Sequence, residues 1–577
     1  MAEQGIFTEH VMCARKIVLS SCIAAAFLLL PIIGLAGDSI HLEEPNNYNN
    51  PKDTFGTPPS EWNKADTQVY GIPPSQWYST WQDNPALVDL QSNYVFIASM
   101  FYMGSYNEFE TDLYQAFSGG VGGSYAETSE EYAGNNAGTD LGFMMKFNDS
   151  STFGAILHYR YDGILGYGDT SQNFYNGAGV SLTLNTESVR RSDANSTGLT
   201  LLYDVDYSDA FSLGLSLAYM YTNDNTNYDE YSVGMNNTGA VVDEDIRIAR
   251  ETIFNIHRLS PTIGTSFSPS DRFILNVSFT TDFLFGGVEK NAIMTDYNTT
   301  YAISSTYREH LDDGKLSGYG FSGEADTEIF LTDALSLTYL ANASYRDTSW
   351  EIDGATGGYF LPLVYYGLAY GPGSADYESE ERTWHATAGA GMNYDLSGVA
   401  LHSLITYTRW ERSTAFYQEN PITAVGPPVP TSNFTQRTDE ELDIMNLKLG
   451  ATFDISSLIS MDLGIGYSVG WANYNLYEAT YSPVSPTEFI TTAKDTDTFH
   501  DMTVGSSMII SPLENFNITL SAMGKFPLNQ RKYNLSGTTN GATLGAFPIS
   551  SWGGSTIRDY GSSTWNYGGT LSIGYEF

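Results

Sequence analysis

Near the end of the chain Trp565, Tyr567, Gly569, Leu571, Ile573, Tyr575 and Phe577 alternate with Asn566, Gly568, Thr570, Ser572, Gly574 and Glu576. One face is aromatic and aliphatic apart from Gly569, and the other is small or polar. A repeat of two marks a strand with one greasy and one wet face, because successive side chains leave a pleated backbone on opposite sides. A soluble sandwich also makes such strands. It seldom closes one on an aromatic residue, since a terminal carboxylate beside a core ring must still reach water.

The same pattern recurs upstream as hairpins. Leu201, Tyr203, Val205 and Tyr207 alternate with Thr200, Asp204 and Asp206; Ser208-Asp209-Ala210 turns the chain; Phe211, Leu213, Leu215, Leu217 and Tyr219 then alternate with Ser212, Gly214, Ser216 and Ala218. The form returns over 141–162, 258–284, 321–346, 385–412, 444–471 and 502–526. The turns are expected near Asn148–Ser151, Ser268–Asp271, Thr332–Ala334, Asp395–Gly398, Ser456–Ile459 and Ser511–Asn515. Seven hairpins, an opening strand near 93–103 and the closing strand 565–577 predict about 16 strands, with 14 as the alternative. Between hairpins the chain reads as long loops. Short turns at one end and long loops at the other imply an even-stranded barrel with both termini on the turn side.

Composition agrees with an all-β, antiparallel transmembrane β-barrel. Beyond residue 36 no stretch of 18 consecutive apolar residues occurs, so no helix is expected to cross a bilayer. The chain carries 41 Tyr, 30 Phe, 9 Trp and 55 Gly, enough for aromatic belts at two interfaces and for many tight turns. Closure of the sheet is the physical solution in lipid, which offers no hydrogen bonds to an open edge.

The first 36 residues are expected to be a signal peptide: Arg15 and Lys16 precede an apolar run from Ile17 to Leu35, and Gly34-Leu35-Ala36 supplies small residues for cleavage. Leu19-Ser20-Ser21-Cys22 lies at the start of that run, the wrong place for a lipoprotein cleavage box. Cys13 and Cys22 are the chain's two cysteines, so the mature chain has neither disulfides nor thiolate metal ligands. The net charge of −41 belongs to the mature chain and argues against nucleic acid or anionic phosphates as partners. Residues 37–92 are rich in Asn, Pro and Trp, and Phe55-Gly56-Thr57-Pro58-Pro59-Ser60-Glu61-Trp62 returns as Tyr70-Gly71-Ile72-Pro73-Pro74-Ser75-Gln76-Trp77. Prolines hold such a segment extended while the tryptophans seek burial, so it is expected to dock in the barrel lumen or at its mouth. The domain reading is 1–36 signal peptide, 37–92 plug and 93–577 barrel.

If the apolar face meets lipid, the other face is lumen-lining. It carries Lys146, His158, Arg160, Asp162, Asp204, Asp206, Asn276, Asp282, Asn342, Arg346, Asp462 and Lys525. Charges of both signs imply water inside, whether they brace the wall or serve passage. Three acidic runs are expected in surface loops: Asp243-Glu244-Asp245, Asp376 to Glu381 and Asp439-Glu440-Glu441. Their spacing matches no ordered calcium loop, so no metal site is assigned, although bridging cations to lipopolysaccharide are conceivable on charge. Gly358 to Tyr366, Pro421 to Pro430 and Leu544 to Ile549 are apolar loops, expected to fold inward or to hold something greasy. His402-Ser403 is no catalytic pair, because neighbours on a strand point to opposite faces. No enzyme site and no cofactor is expected.

Two resemblances sharpen this reading. The ending through Tyr567, Leu571, Ile573, Tyr575 and Phe577 resembles the signal by which bacterial outer-membrane β-barrels are recognised by the barrel-assembly machinery. Asn84-Pro85-Ala86-Leu87, just before the first strand, resembles the Asn-Pro-Ala element closing the N-terminal plug of the outer-membrane long-chain fatty-acid and aromatic-hydrocarbon transporters. That resemblance implies a 14-stranded barrel, a lumen obstructed by the plug, apolar loops that collect substrate and passage without an energy-coupling box. The expectation is passive uptake of small, hydrophobic molecules across a Gram-negative outer membrane, with outer-membrane lipid and lipopolysaccharide as surroundings. A cation-preferring porin and a structural or adhesive surface barrel are the alternatives.

Overall fold

The computed structural model describes residues 84–88, 90, 93–116, 122–148, 150–176, 179–236, 241–298, 303–359, 372–396, 398–420, 432–482, 485–513, 515–528, 531–540 and 553–576. The signal-peptide reading, the repeat within 37–92, the three apolar loops beyond Tyr359 and the terminal Phe577 lie outside these residues.

Seventeen antiparallel strands close into one barrel. They run β1 (Tyr94–Ala116), β2 (Gly122–Asn148), β3 (Ser151–Asn176), β4 (Gly179–Ser208), β5 (Phe211–Asn236), β6 (Val241–Ser270), β7 (Phe273–Asn298), β8 (Ile303–Thr332), β9 (Leu335–Tyr359), β10 (Pro372–Asp395), β11 (Val399–Asn420), β12 (Ser432–Ser456), β13 (Ile459–Ser482), β14 (Ser485–Leu513), β15 (Phe516–Pro527), β16 (Arg531–Asn540) and β17 (Gly553–Glu576). Each strand pairs with its sequence neighbours, and β1 pairs with both β2 and β17, which closes the ring. β15 and β16 each pair with β14 on one side and β17 on the other, at different heights. They occupy one position in the wall, so sixteen positions surround the lumen. A sixteen-position barrel is wide enough for an aqueous channel.

The seven short turns fall where the alternation places them, with single-residue differences such as β6 ending at Ser270 and β7 beginning at Phe273. The long loops do not. β4, β6 and β8 each contain 30 residues, where roughly ten suffice to cross a bilayer. Asp243-Glu244-Asp245 lies in β6, Asp376 to Glu381 in β10 and Asp439-Glu440-Glu441 in β12. The reason is local. Past the apolar band both faces of the sheet are polar, so the hydrophobic alternation vanishes while the backbone ladder goes on.

The exterior shows where the band ends. Near the turns Phe147, Tyr207, Leu331, Ile455 and Leu458 are exposed, followed along the strands by Leu201, Leu215, Ile263, Phe279, Leu447 and Ile465. The band then closes on tyrosines bonded to polar groups of the next strand. Tyr159 donates to Asn195 (3.0 Å), Tyr161 to Asp193 (2.7 Å), Tyr221 to Asn255 (2.8 Å) and Tyr102 to Asn135 (2.6 Å); Tyr407 donates to Asp443. Rings on the apolar side with hydroxyls on the wet side are what a membrane interface selects. On β4 the band runs from Leu199 to Tyr207, nine residues or about 26 Å along a tilted strand. The chain thus forms a transmembrane barrel whose wall continues well past one interface.

Candidate functional site

The inner wall is polar, and its charges are mostly partnered. His158 places Nδ1 2.8 Å from Asp140 Oδ1 and Nε2 2.8 Å from Thr200 Oγ1. Arg160 donates to both oxygens of Asp140, at 2.5 and 2.9 Å, and its guanidinium lies 5.0 Å from the centre of the Phe101 ring. Asp282 accepts from Arg258 at 3.0 and 2.8 Å and from Ser260 at 2.5 Å, with Arg346 in its field. Lys525 pairs with Asp501 (3.0 Å), Ser507 donates to Asp462 (2.5 Å), Ser212 donates to Asp206 (2.5 Å), and Asn276 bridges Ser266 and Asp326. Asp204 and Asp462 are almost completely buried. These side chains stand at many places round the barrel and do not converge. Only His158 and Arg160 come together, through Asp140, a residue that the alternation pattern alone does not single out.

His402, the histidine of the rejected catalytic pair, lies between Asn393 Oδ1 (3.1 Å) and Thr452 Oγ1 (3.0 Å). Its ring joins three neighbouring strands. Among the described residues no group of histidine, cysteine, aspartate and glutamate is arranged to hold a metal ion.

Convergence occurs at the N-terminal segment instead. Pro85–Leu87 form one short helical turn, with proline at its first position, where a missing N–H costs nothing. Asn84 caps it: its Oδ1 accepts from the Ala86 N–H (3.1 Å), its backbone carbonyl accepts from the Leu87 N–H (3.1 Å), and its Nδ2 donates to the Thr265 carbonyl of β6 (3.2 Å). Asn84 is 1% exposed. The turn sits on two glycines, Gly214 of β5 and Gly264 of β6, which are direct cross-strand partners. A Cβ on Gly214 would strike the Ala86 nitrogen and come within 2.6 Å of the Pro85 carbonyl oxygen. One on Gly264 would strike the Asn84 amide oxygen and lie 3.0 Å from Pro85 Cδ. Absent side chains thus let a foreign backbone lie against the sheet.

After the turn, Val88 and Leu90 are buried with Val95, Ile97, Met144, Ile156 and Leu202, an apolar cluster on β1 to β4. Lys146 Nζ reaches the Leu90 carbonyl at 3.4 Å. Residues 84–90 are therefore held to the inner wall at both ends. Three residues of the expected plug motif, Asn84, Pro85 and Ala86, and one of the expected lumen lining, Lys146, meet here. Gly214 and Gly264 are absent from both expected sets, although a glycine on the inward face of two adjacent strands is a legible sign of close backbone approach.

At the seam of the barrel, Tyr567, Leu571, Ile573 and Tyr575 lie opposite Gly104, Met100, Ala98 and Phe96 of β1.

No protein-family model and no curated protein matches the chain. Among solved structures it is similar to a FadL homologue of Pseudomonas aeruginosa, at 13% identity over 89% of this chain and 98% of that one, with a TM-score of 0.38. It is also similar to the toluene transporter TodX of Pseudomonas putida, at 12% identity over 89% and 97%, with a TM-score of 0.35. The outer-membrane protease OmpT of Escherichia coli matches 64% of this chain and 98% of its own length at 12% identity and a TM-score of 0.21. The chain resembles the outer-membrane fatty-acid and aromatic-hydrocarbon transporters.

Proposed function

We propose that this barrel is an outer-membrane channel for passive uptake of small, hydrophobic molecules, with residues 37–92 plugging its lumen. The observation that carries this reading is the seat of Asn84–Leu87 on Gly214 and Gly264. A chain fixed to the inner wall just before β1 has its preceding segment delivered to the lumen. In this reading the short turns and both termini face the periplasm of a Gram-negative cell, and the extended wall stands outside among lipopolysaccharide. Tyr567, Leu571, Ile573, Tyr575 and Phe577 serve as the assembly signal. Lys146, His158, Arg160, Asp204, Asp206, Asp282, Arg346, Asp462 and Lys525 keep the inner wall wet and rigid, so that a greasy solute has nowhere to adhere once past the plug.

The test is single-channel conductance of the purified barrel in a planar bilayer under a salt gradient, before and after deletion of 37–76. Silence that becomes conductance on deletion is expected. A steady cation-selective current from the full chain would make it a porin and remove the plug.

A further inference from the structure

The inner wall has one apolar patch where the rest is polar, beyond the tyrosine rim. Val288 of β7 and Ile352 of β9 are each 1% exposed, and Phe254 of β6, Leu316 of β8, Trp350 of β9 and Phe416 of β11 pack on them. The Phe254 and Trp350 rings meet edge-on with centroids 6.3 Å apart, and those of Trp350 and Phe416 lie 6.3 Å apart and tilted. β6 and β9 are separated by two strands, and β9 and β11 by one, so a flat wall would not bring these rings together.

A pinch in β8 does so. The β8–β9 ladder pairs His310 with Thr356 and resumes only at Lys315 with Glu351, while the β7–β8 register slips between Val288 and Lys290. At the slip stands Gly314. A Cβ there would lie 2.7 Å from Ile352 Cγ1, 2.7 Å from the Val288 carbonyl oxygen and 2.9 Å from Val288 Cβ. β7 and β9 accordingly come within 8 Å of each other past β8. The wall is folded inward around a glycine, and the fold gathers a buried aliphatic floor under three half-buried rings. Polar groups surround it on the same face: buried Thr252 and Gln436, the Thr414–Thr438 hydroxyl pair at 2.5 Å and the Arg412–Glu381 ion pair at 2.7 Å.

We propose that this patch is a capture site in the wall for an uncharged, ring-bearing apolar molecule, ahead of the polar lumen. Apart from the Trp350 indole N–H, its side chains offer no hydrogen-bonding group, so a charged or strongly polar ligand gains nothing there. An apolar ring gains both the aliphatic floor and edge contacts with Phe254, Trp350 and Phe416. The site deepens the channel reading above and rests on it.

The test uses the full-length barrel in lipid nanodiscs and a diazirine derivative of naphthalene, with cross-linked peptides located by mass spectrometry. Labelling is expected on the segments holding Phe254, Trp350 and Phe416, displaced by excess naphthalene. It should fall at least tenfold in Phe254→Ser/Phe416→Ser and remain in Phe416→Tyr. Folding is checked by heat-modifiable gel mobility, and the single variant Phe416→Ser serves if the double one does not fold. Labelling confined to lipid-facing positions such as Leu215 and Phe279, or indifferent to the variants, would overturn the site. The conductance experiment is separate: an always-open pore removes the plug whatever the labelling shows, and a plugged but unlabelled barrel removes only the capture site.

Discussion

Gly214 and Gly264 face each other across β5 and β6, and the backbone of Asn84–Ala86 occupies the space their side chains would fill. Two strands give up packing groups at one level so that a segment from outside the sheet can lie against it. A barrel wall needs no such concession for its own stability.

Substituting either glycine tests that relationship. Gly214→Val and Gly264→Val put a branched side chain against backbone atoms of Pro85 and Ala86, which cannot swing aside as a side-chain tip can. Overpacking of this kind costs about 1–3 kcal/mol. Because the ladder itself is retained, the turn rather than the barrel should give way. The expected result is intermittent conductance from a full-length chain that is otherwise silent, with unchanged heat-modifiable mobility.

Asn84→Ala removes the cap of the Ala86 N–H and the bond to the Thr265 carbonyl together. Loss of a capping side chain costs about 0.5–2 kcal/mol, and 1.4 kcal/mol is tenfold in an equilibrium. Hydrogen exchange at the Ala86 and Leu87 amides should therefore quicken by roughly tenfold. Exchange in the β4–β5 turn region should not change.

Asp140 holds two cationic or potentially cationic partners in a nearly dry wall, with side-chain exposures of 5% for Asp140, 4% for His158 and 14% for Arg160. Asp140→Ala strands them there. Removing one member of a buried ionic cluster costs about 3–5 kcal/mol. A lower urea midpoint, followed by the loss of heat-modifiable mobility, is expected. Asp333→Ala breaks the exposed pair with Arg272 in the β8–β9 turn region and should leave the midpoint where it was.

The position of the membrane is set by the tyrosine rim, which predicts a depth profile for charge. Leu215→Arg lies inside the apolar band on an exposed outward position and should destabilise the barrel by about 2–4 kcal/mol in a bilayer. Asn255→Arg, on the wet side of Tyr221, should be close to neutral. Equal costs at the two positions would mean that the band has been misplaced.

By itself, the sequence determined the parts of this protein that repeat over a few residues. Leu201 through Tyr219 declares two strands, their faces and the turn between them because burial against lipid imposes a period of two on adjacent side chains. The same local signal located the other turns, the lumen-facing set from Lys146 to Lys525 and the count of sixteen wall positions. Where both faces meet water that signal disappears, so the strand extensions carrying Asp243 and Asp439 read as loops. Only the tertiary structure decided what depends on distant pieces of chain meeting. Asn84 finds Thr265 across 181 residues, Asp140 gathers His158 and Arg160, and Val288 reaches Ile352 past Gly314. A glycine in a strand records that something comes close, but closure of the ring is what selects the neighbour.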